Sequence, residues 1–239
     1  MERRNIRQIK TSYIPRRRKK TLKRYQVMFL TFLITLISVF AIVQLIHFLK
    51  SPMYDNGFIP APYGTNVSEK VKKAEETEIP EWIDVQLIHK HSTARTGFRL
   101  ADIDNIVIHY VGNPGSTAQN NRDYFDKSST EVSSHFVVGL DGEIIQCVPI
   151  YEKSAASNER NRDSISIEVC HKDETGKFNE KTYSSLVKLV SWLCNEFSLD
   201  ESQIIRHYDI TGKECPKYYV ENEDEWEKFK SDVEEMLDE

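Results

Sequence analysis

The arrangement of apolar and polar positions divides this chain into stretches with different periods. Between Val27 and Phe48, 22 residues include fifteen Leu, Ile, Phe or Val and no Asp, Glu, Lys or Arg. At about 1.5 Å per residue a helix of that length rises roughly 33 Å, enough to cross a hydrocarbon core about 30 Å thick. The stretch has no polar face, which argues against a helix buried in a globular core. It is also longer than the usual apolar region of a signal peptide and lacks a small-x-small cleavage site after it. One N-terminal transmembrane helix is therefore expected over residues 27–49. Residues 50–80 hold Pro52, Pro60, Pro62, Pro80, Gly57, Gly64 and a charged run from Glu69 to Glu78. Such composition buries little surface and predicts an extracytoplasmic tether, extended or only locally helical.

From about Trp82 onward short strand-like and longer helix-like patterns mix. Asn105–Val111 is a β-branched apolar run that predicts a buried strand. Ser116 is placed to cap a helix over about 118–126. Ser134–Leu140 and Glu143–Pro149 flank Asp141-Gly142, a hairpin signal. Ser164–Cys170 alternates with period two. Asn179 is placed to cap a helix whose apolar face holds Tyr183, Leu186, Val187, Val190, Leu193, Cys194 and Phe197, and Trp226, Phe229, Val233 and Leu237 form the face of a last helix. The expected fold is α/β: a single mixed central β-sheet flanked by helices, in one domain over residues 81–239, preceded by the transmembrane helix.

Charge supports that order. Residues 1–26 contain eleven Lys or Arg against Glu2 alone, a balance of +10, so with a total of −5 the remainder carries −15. A basic arm by itself suits nucleic acid. Directly before an apolar span it suits orientation instead, with the arm in the cytoplasm and the acidic remainder outside. No nucleic-acid partner is expected.

Candidate chemistry concentrates in the predicted loop His207-Tyr-Asp-Ile-Thr-Gly-Lys-Glu-Cys215-Pro216. His207 and Cys215 are ligand types that suit Zn²⁺, at a spacing unlike that of a structural zinc finger. His109, near the end of its predicted strand, is the natural third candidate, and three protein ligands would leave a fourth position open for catalysis. Each residue alone also fits an ordinary role, as a satisfied core histidine or a plain loop cysteine. Cys194 reads as core. Cys147 and Cys170 read as buried thiols, with a disulfide among these cysteines left open.

Taken in order, several segments resemble one family. They are Arg95-Thr-Gly97, Ile106-Val-Ile-His109-Tyr110, Ser116-Thr-Ala118, Val132-Ser-Ser-His135-Phe-Val-Val138 with Asp141-Gly142, Ser164-Ile-Ser-Ile-Glu168, and His207-Tyr-Asp209 followed by Lys213-x-Cys215-Pro216. From about Val85 to Tyr219 the chain is similar to the zinc-dependent N-acetylmuramoyl-L-alanine amidases of the peptidoglycan-recognition-protein fold, which include phage lysozyme-type amidases and bacterial autolysins. The resemblance implies zinc held by His109, His207 and Cys215, with peptidoglycan as substrate. Glu168, on an otherwise apolar strand, suits acid/base work, because burial raises a carboxyl pKa toward neutral. Lys213, two residues before a ligand, suits stabilisation of the tetrahedral intermediate. Asp209 is a candidate outer partner of His207, or simply a turn residue. His135 and Tyr110 are candidate substrate contacts, each with a packing role as the alternative.

One position departs from the family pattern. Phage lysozyme-type members carry a catalytic tyrosine just before the histidine that matches His135, and this chain has Ser134. The expectation is a cell-membrane amidase, single-pass, with a cytoplasmic N-terminus and a monomeric catalytic domain outside. The alternative is a non-catalytic peptidoglycan-binding sensor module. In that branch the cysteine ligand is typically lost, so Cys215 counts against it.

Overall fold

A computed structural model describes residues 28–39, 67–90 and 94–237, which fall into two units divided between Ala61 and Pro62. In the first unit residues 28–39 are helical and their apolar side chains, Phe29, Leu33 and Ile37 among them, are exposed. The Thr31, Thr35 and Ser38 hydroxyls donate to the carbonyls of Met28, Phe32 and Ile34. Among the described residues no helix is long and apolar enough to cross a membrane. The rest of the span expected over 27–49 lies outside them, as does the basic arm.

The second unit is built on a six-stranded mixed sheet, as expected. Its strands are β1 (Asp84–Val85), β2 (Asn105–Tyr110), β3 (Phe136–Val138), β4 (Ile144–Gln146), β5 (Ser164–Val169) and β6 (Ile204–Arg206), in the spatial order β1-β4-β3-β5-β2-β6. Only β3 and β4 run antiparallel, joined by the Asp141-Gly142 hairpin. Gly142 has φ +87°, and a β-carbon there would come within 2.7 Å of the Ser185 hydroxyl, so only glycine suits the turn. The helices of this unit are α1 (Glu69–Glu76), α2 (Ala118–Phe125), α3 (Glu180–Phe197), α4 (His207–Thr211), α5 (Lys217–Glu221) and α6 (Glu223–Leu237). Asn179 caps α3 through the amides of Lys181 and Thr182, whereas α2 is capped by Thr117, one residue later than the sequence suggested.

The two faces of the sheet have different duties. Ile106, Ile108, Phe136, Ile165, Ile167 and Val169 meet Leu186, Val190 and Leu193 of α3 and Trp226, Phe229 and Val233 of α6 in the main core. Each such side chain contributes about 1.5–3 kcal/mol on burial. On the other face Val137 and Ile145 meet Ala118 and Phe125 of α2 in a smaller cluster. Because strand residues alternate, the second face of β5 carries Ser164, Ser166 and Glu168. A sheet buried on one side and polar along its middle strand on the other is suited to hold a site.

One boundary differs from the expectation. Helix α1 lies within the predicted tether, yet Val71 and Ala74 are buried in the main core. Ser68 caps it through the Val71 amide, and Lys70 donates to the Ile103 carbonyl at 3.1 Å. Two apolar residues three apart in a charged stretch give a weak signal, and their docking supplies what periodicity does not. The folded part thus reaches back to about residue 67. Replacing Val71 by Ala should lower unfolding free energy by roughly 2 kcal/mol, read from urea denaturation of the two proteins. A loss within about 0.5 kcal/mol, as for an ordinary surface site, would return α1 to the tether.

Candidate metal centre and cleft

Three strands that run in parallel bring the central residues to one edge of the sheet. His109 is one residue short of the end of β2 and Glu168 one short of the end of β5, and the two are partners in register. β6 pairs with the other side of β2, and His207 follows it as the first residue of α4. The loop after α4 returns Cys215 to the same place, where its amide carbonyl accepts from the Tyr208 N–H at 2.9 Å. The segment expected as one loop is therefore a helical turn followed by a loop. One potential ligand atom from each of His109, His207 and Cys215 lies within 4.8 Å of the other two, and all three residues are buried. Cys215 Sγ is 3.8 Å from His109 Nδ1, and the imidazole centroids are 4.7 Å apart.

The outer ring nitrogens are occupied. His109 Nε2 is 3.1 Å from the Ser157 hydroxyl, and His207 Nε2 is 3.0 Å from Asn158 Oδ1. The inner Nδ1 of His207 is buried with no hydrogen-bond partner. An enclosed polar atom of this kind is unfavourable unless a further group meets it. Two imidazoles and a thiol, with an orphaned nitrogen between them, fit a metal ion.

Electrostatics agree with that fit. Burial, then His207, then Lys213 hold the His109 imidazole well below its ordinary value of 6.5, so it stays neutral and keeps a lone pair available. His207 is lowered by burial and by Lys213. Burial and the Glu168 charge push the Cys215 thiol up to about 12, a site in which a thiolate needs a cation beside it. Burial raises Glu168 to about 8, against the pull of Lys213, and its Oε2 is shielded from solvent without a hydrogen-bond partner. Lys213 is itself exposed. On its other side Glu168 lines a cleft of about 440 Å³ together with Val111, Asn113, Asn121, Tyr124 and Val132.

Other sequence candidates are placed elsewhere. His135 is fully buried and is no substrate contact: its Nδ1 accepts from the Ser166 N–H at 2.9 Å and its Nε2–H donates to the Glu152 carbonyl at 2.8 Å. Arg95, from the first resembling segment, is the anchor behind it, with 2.7 and 2.9 Å bonds to the Glu152 carboxylate and one to the Ile88 carbonyl. Asp209 does not touch His207. Its carboxylate takes the Arg206 N–H at 2.8 Å and the Arg206 guanidinium, because Arg206 is the nearer cation and caps the same turn. Tyr110 stacks on His171 at 5.0 Å and covers Gly176, a packing role. Cys147, Cys170 and Cys194 are free, buried thiols, each pushed up to about 12 by burial, and no disulfide joins them. Ser157 and Asn158 were missed, since Ser154–Asn161 has neither strand nor helix periodicity to mark them.

Fold and site together define an α/β protein with a candidate three-ligand metal centre beside a cleft. The sequence profile of the family described as N-acetylmuramoyl-L-alanine amidase matches residues 99–218, just over half of the 239-residue chain, and the chain belongs to that family. It is similar to the N-acetylmuramoyl-L-alanine amidase CwlL of Bacillus licheniformis, 31% identical over 160 residues that cover 60% of this chain and 44% of CwlL. The amidase BlyA of Bacillus subtilis (strain 168) is 32% identical over 160 residues, covering 58% of this chain and 43% of BlyA. The chain thus spans less than half the length of these curated relatives. Among solved structures, the catalytic domain of XlyA superposes with a TM-score of 0.57 at 27% identity, covering 63% of this chain and 98% of that domain.

The role assigned to His135 has a consequence in acid. Its ring takes up a proton near pH 6.5 in the unfolded chain, but burial lowers this to about 4 in the folded protein. The unfolded state therefore binds more protons between those values. The contribution is intact above pH 6.5, and stability falls as pH drops toward 4, by on the order of 3 kcal/mol at the lower end. Urea denaturation at pH 7.5 and 4.5 should show a smaller acid loss in His135→Gln than in wild type. Equal losses would remove His135 from the account.

Proposed function

We propose that this chain is a zinc-dependent N-acetylmuramoyl-L-alanine amidase that hydrolyses the amide between N-acetylmuramic acid and L-alanine in peptidoglycan. The observation that carries the reading is the convergence of His109, His207 and Cys215 to within 4.8 Å, with Glu168 on the neighbouring strand. Two imidazole nitrogens and a thiolate are a donor set that suits zinc, with a fourth position left for water or substrate. Zinc, when bound, supplies Lewis acidity toward a carbonyl and acidifies water.

The protein's own groups do the rest. The substrate lies in the cleft that Glu168 lines. The carboxylate form of Glu168, made more basic by burial, accepts a proton from the attacking water and returns it to the departing amine of L-alanine, so the proton count closes on the product. The Lys213 ammonium, near enough to act on Glu168 and both histidines, stabilises negative charge on the carbonyl oxygen as the tetrahedral intermediate forms. The full-length chain in detergent should release stem peptides from purified peptidoglycan. Chelation should abolish the release, Glu168→Ala should lower kcat by roughly 10²–10⁴ with zinc still bound, and Lys213→Ala by about 10²–10³. Release that survives both chelation and Glu168→Ala would refute the mechanism, and wall binding without release would identify a sensor module instead.

The proposal includes an address. Residues 27–49 anchor the chain, with the basic arm 1–26 in the cytoplasm and the amidase domain outside. The helical residues 28–39 present apolar side chains outward, and their hydroxyls bond back to their own carbonyls, as a lipid environment requires. With α1 docked on the domain, about 17 residues, 50–66, serve as the tether and reach at most on the order of 60 Å. Such an enzyme trims wall near its own membrane, as in remodelling or autolysis. On cell fractionation the chain should pellet with membranes, be digested by protease added outside intact protoplasts, and become soluble when residues 1–49 are removed. Recovery of the intact chain in the soluble fraction would overturn the anchor.

A further inference from the structure

Three candidates outside the ligands themselves stand out: the cleft lined by Tyr124 and Val132, the cluster of buried Arg206 with Asp209 and Glu223, and the pair Ser157 and Asn158. The cleft belongs to the site already described. Arg206 is satisfied by Asp209, Glu223 and the Tyr219 carbonyl and serves the packing of α6. The third goes further.

Ser157 and Asn158 are adjacent in sequence, and each meets the outer nitrogen of a different ligand histidine. Ser157 is fully buried, and both it and Ala156 have their amides tied to Asn161 Oδ1, at 2.6 and 3.0 Å, which fixes the turn. Asn158 has φ +52°, a left-handed conformation that Asn adopts more readily than most residues. That conformation aims its side chain at His207 while the preceding residue reaches His109. An amide oxygen only accepts, so Asn158 Oδ1 at 3.0 Å requires the proton on His207 Nε2. The Nδ1 of His207 is then bare, in agreement with its being buried without a hydrogen-bond partner. Ser157, which can donate or accept, holds His109 in the same sense once His109 Nδ1 is committed to the metal side near Cys215 Sγ.

We infer that the Ser157–Asn158 dipeptide is a two-residue clamp that sets the tautomer and ring orientation of both metal-binding histidines. These are positioning residues: they act through His109 and His207 and do not touch the substrate. The inference rests on the metal-site reading above. It assigns to one short turn the outer hydrogen bonds of two ligands, one on β2 before the turn in sequence and one at the start of α4 after it.

The test is made on metal affinity and tautomer, with activity left aside. Glycine tolerates φ +52° without strain, so Asn158→Gly deletes the acceptor and spares the backbone. In the full-length chain, zinc affinity measured by competition with a chromophoric chelator should fall roughly 10–100-fold in Asn158→Gly and return toward wild type in Asn158→Asp, which keeps an oxygen acceptor. Ser157→Ala should weaken zinc as well, and Co²⁺ substitution should show an altered ligand-field spectrum in both weakened variants. Long-range ¹H–¹⁵N NMR of metal-free wild type should find His207 protonated on Nε2. Wild-type zinc affinity and Co²⁺ spectrum in Asn158→Gly would overturn the clamp while leaving the metal site standing. Protonation of His207 on Nδ1 would do the same without any variant, and a wild-type chain that binds no zinc would overturn both.

Discussion

The parallel pairing of β2 with β5 fixes the geometry on which the rest of the site depends. It is in register from Asn105 opposite Ser164 to Tyr110 opposite Val169, and within it His109 stands opposite Glu168. Side chains on one sheet face alternate with period two, so a slip of one residue would turn one of the two toward the main core and separate ligand from carboxyl. The register is held by Ile106, Ile108, Ile165, Ile167 and Val169, all buried against α3 and α6 on the opposite face. Hydrophobic burial on one side of the sheet thus positions polar chemistry on the other. β6 extends the same frame by pairing with β2 at Ile108, so that the chain leaves it directly into His207.

Keeping that chemistry in a low-dielectric pocket has a cost, and the surrounding residues show how it is met. A buried imidazole, thiol and carboxyl each resist charging. The histidines resolve this by staying neutral and giving their outer nitrogens to Ser157 and Asn158. His135 resolves it nearby in another way, with both nitrogens used within the protein, one by the Ser166 amide and one by the Glu152 carbonyl. The contrast separates two histidine roles that look alike in sequence. His207 retains one buried nitrogen without a partner, and His135 retains none. At His207 the spare nitrogen faces His109 and Cys215, whereas His135 has no nitrogen left to offer a metal.

The elements with strong local signals were readable from the chain. Period-two alternation in Ser164–Val169, the Asp141-Gly142 turn, the Asn179 cap and the apolar face of α3 depend on neighbours a few residues apart, where local physics decides. His109, His207, Cys215 and Glu168 stood out as candidates in the chain because few residue types can do metal or acid/base chemistry, and the structure brings the first three together. What escaped depends on contacts distant in sequence. Helix α1 packs against a core most of whose members lie beyond residue 100, and Asn158 reaches a histidine 49 residues away. Asp209 was left open for the opposite reason: its closeness in sequence to His207 allowed either a partnership or a turn role, and geometry gives the carboxylate to Arg206 at the turn. The resemblance to a family supplied positions but could not distinguish an Asp that orients a ligand from one that caps a turn.

Position 134 completes the argument about acid and base. In the phage lysozyme-type pattern a tyrosine there joins the chemistry, and Ser134 in this chain is no reduced version of it. The residue is fully buried, and its hydroxyl donates to the Phe136 carbonyl at 2.7 Å. The serine hydroxyl is thus engaged with the first residue of β3 and is not offered to the cleft. Glu168 has the opposite set of properties: it lines the cleft, stands opposite a ligand, and carries a carboxyl that burial raises to about 8. In the proposed mechanism one titratable group beside the cleft suffices to accept a proton early in amide hydrolysis and return it late. With Ser134 engaged elsewhere, the proposed mechanism places that transfer on Glu168.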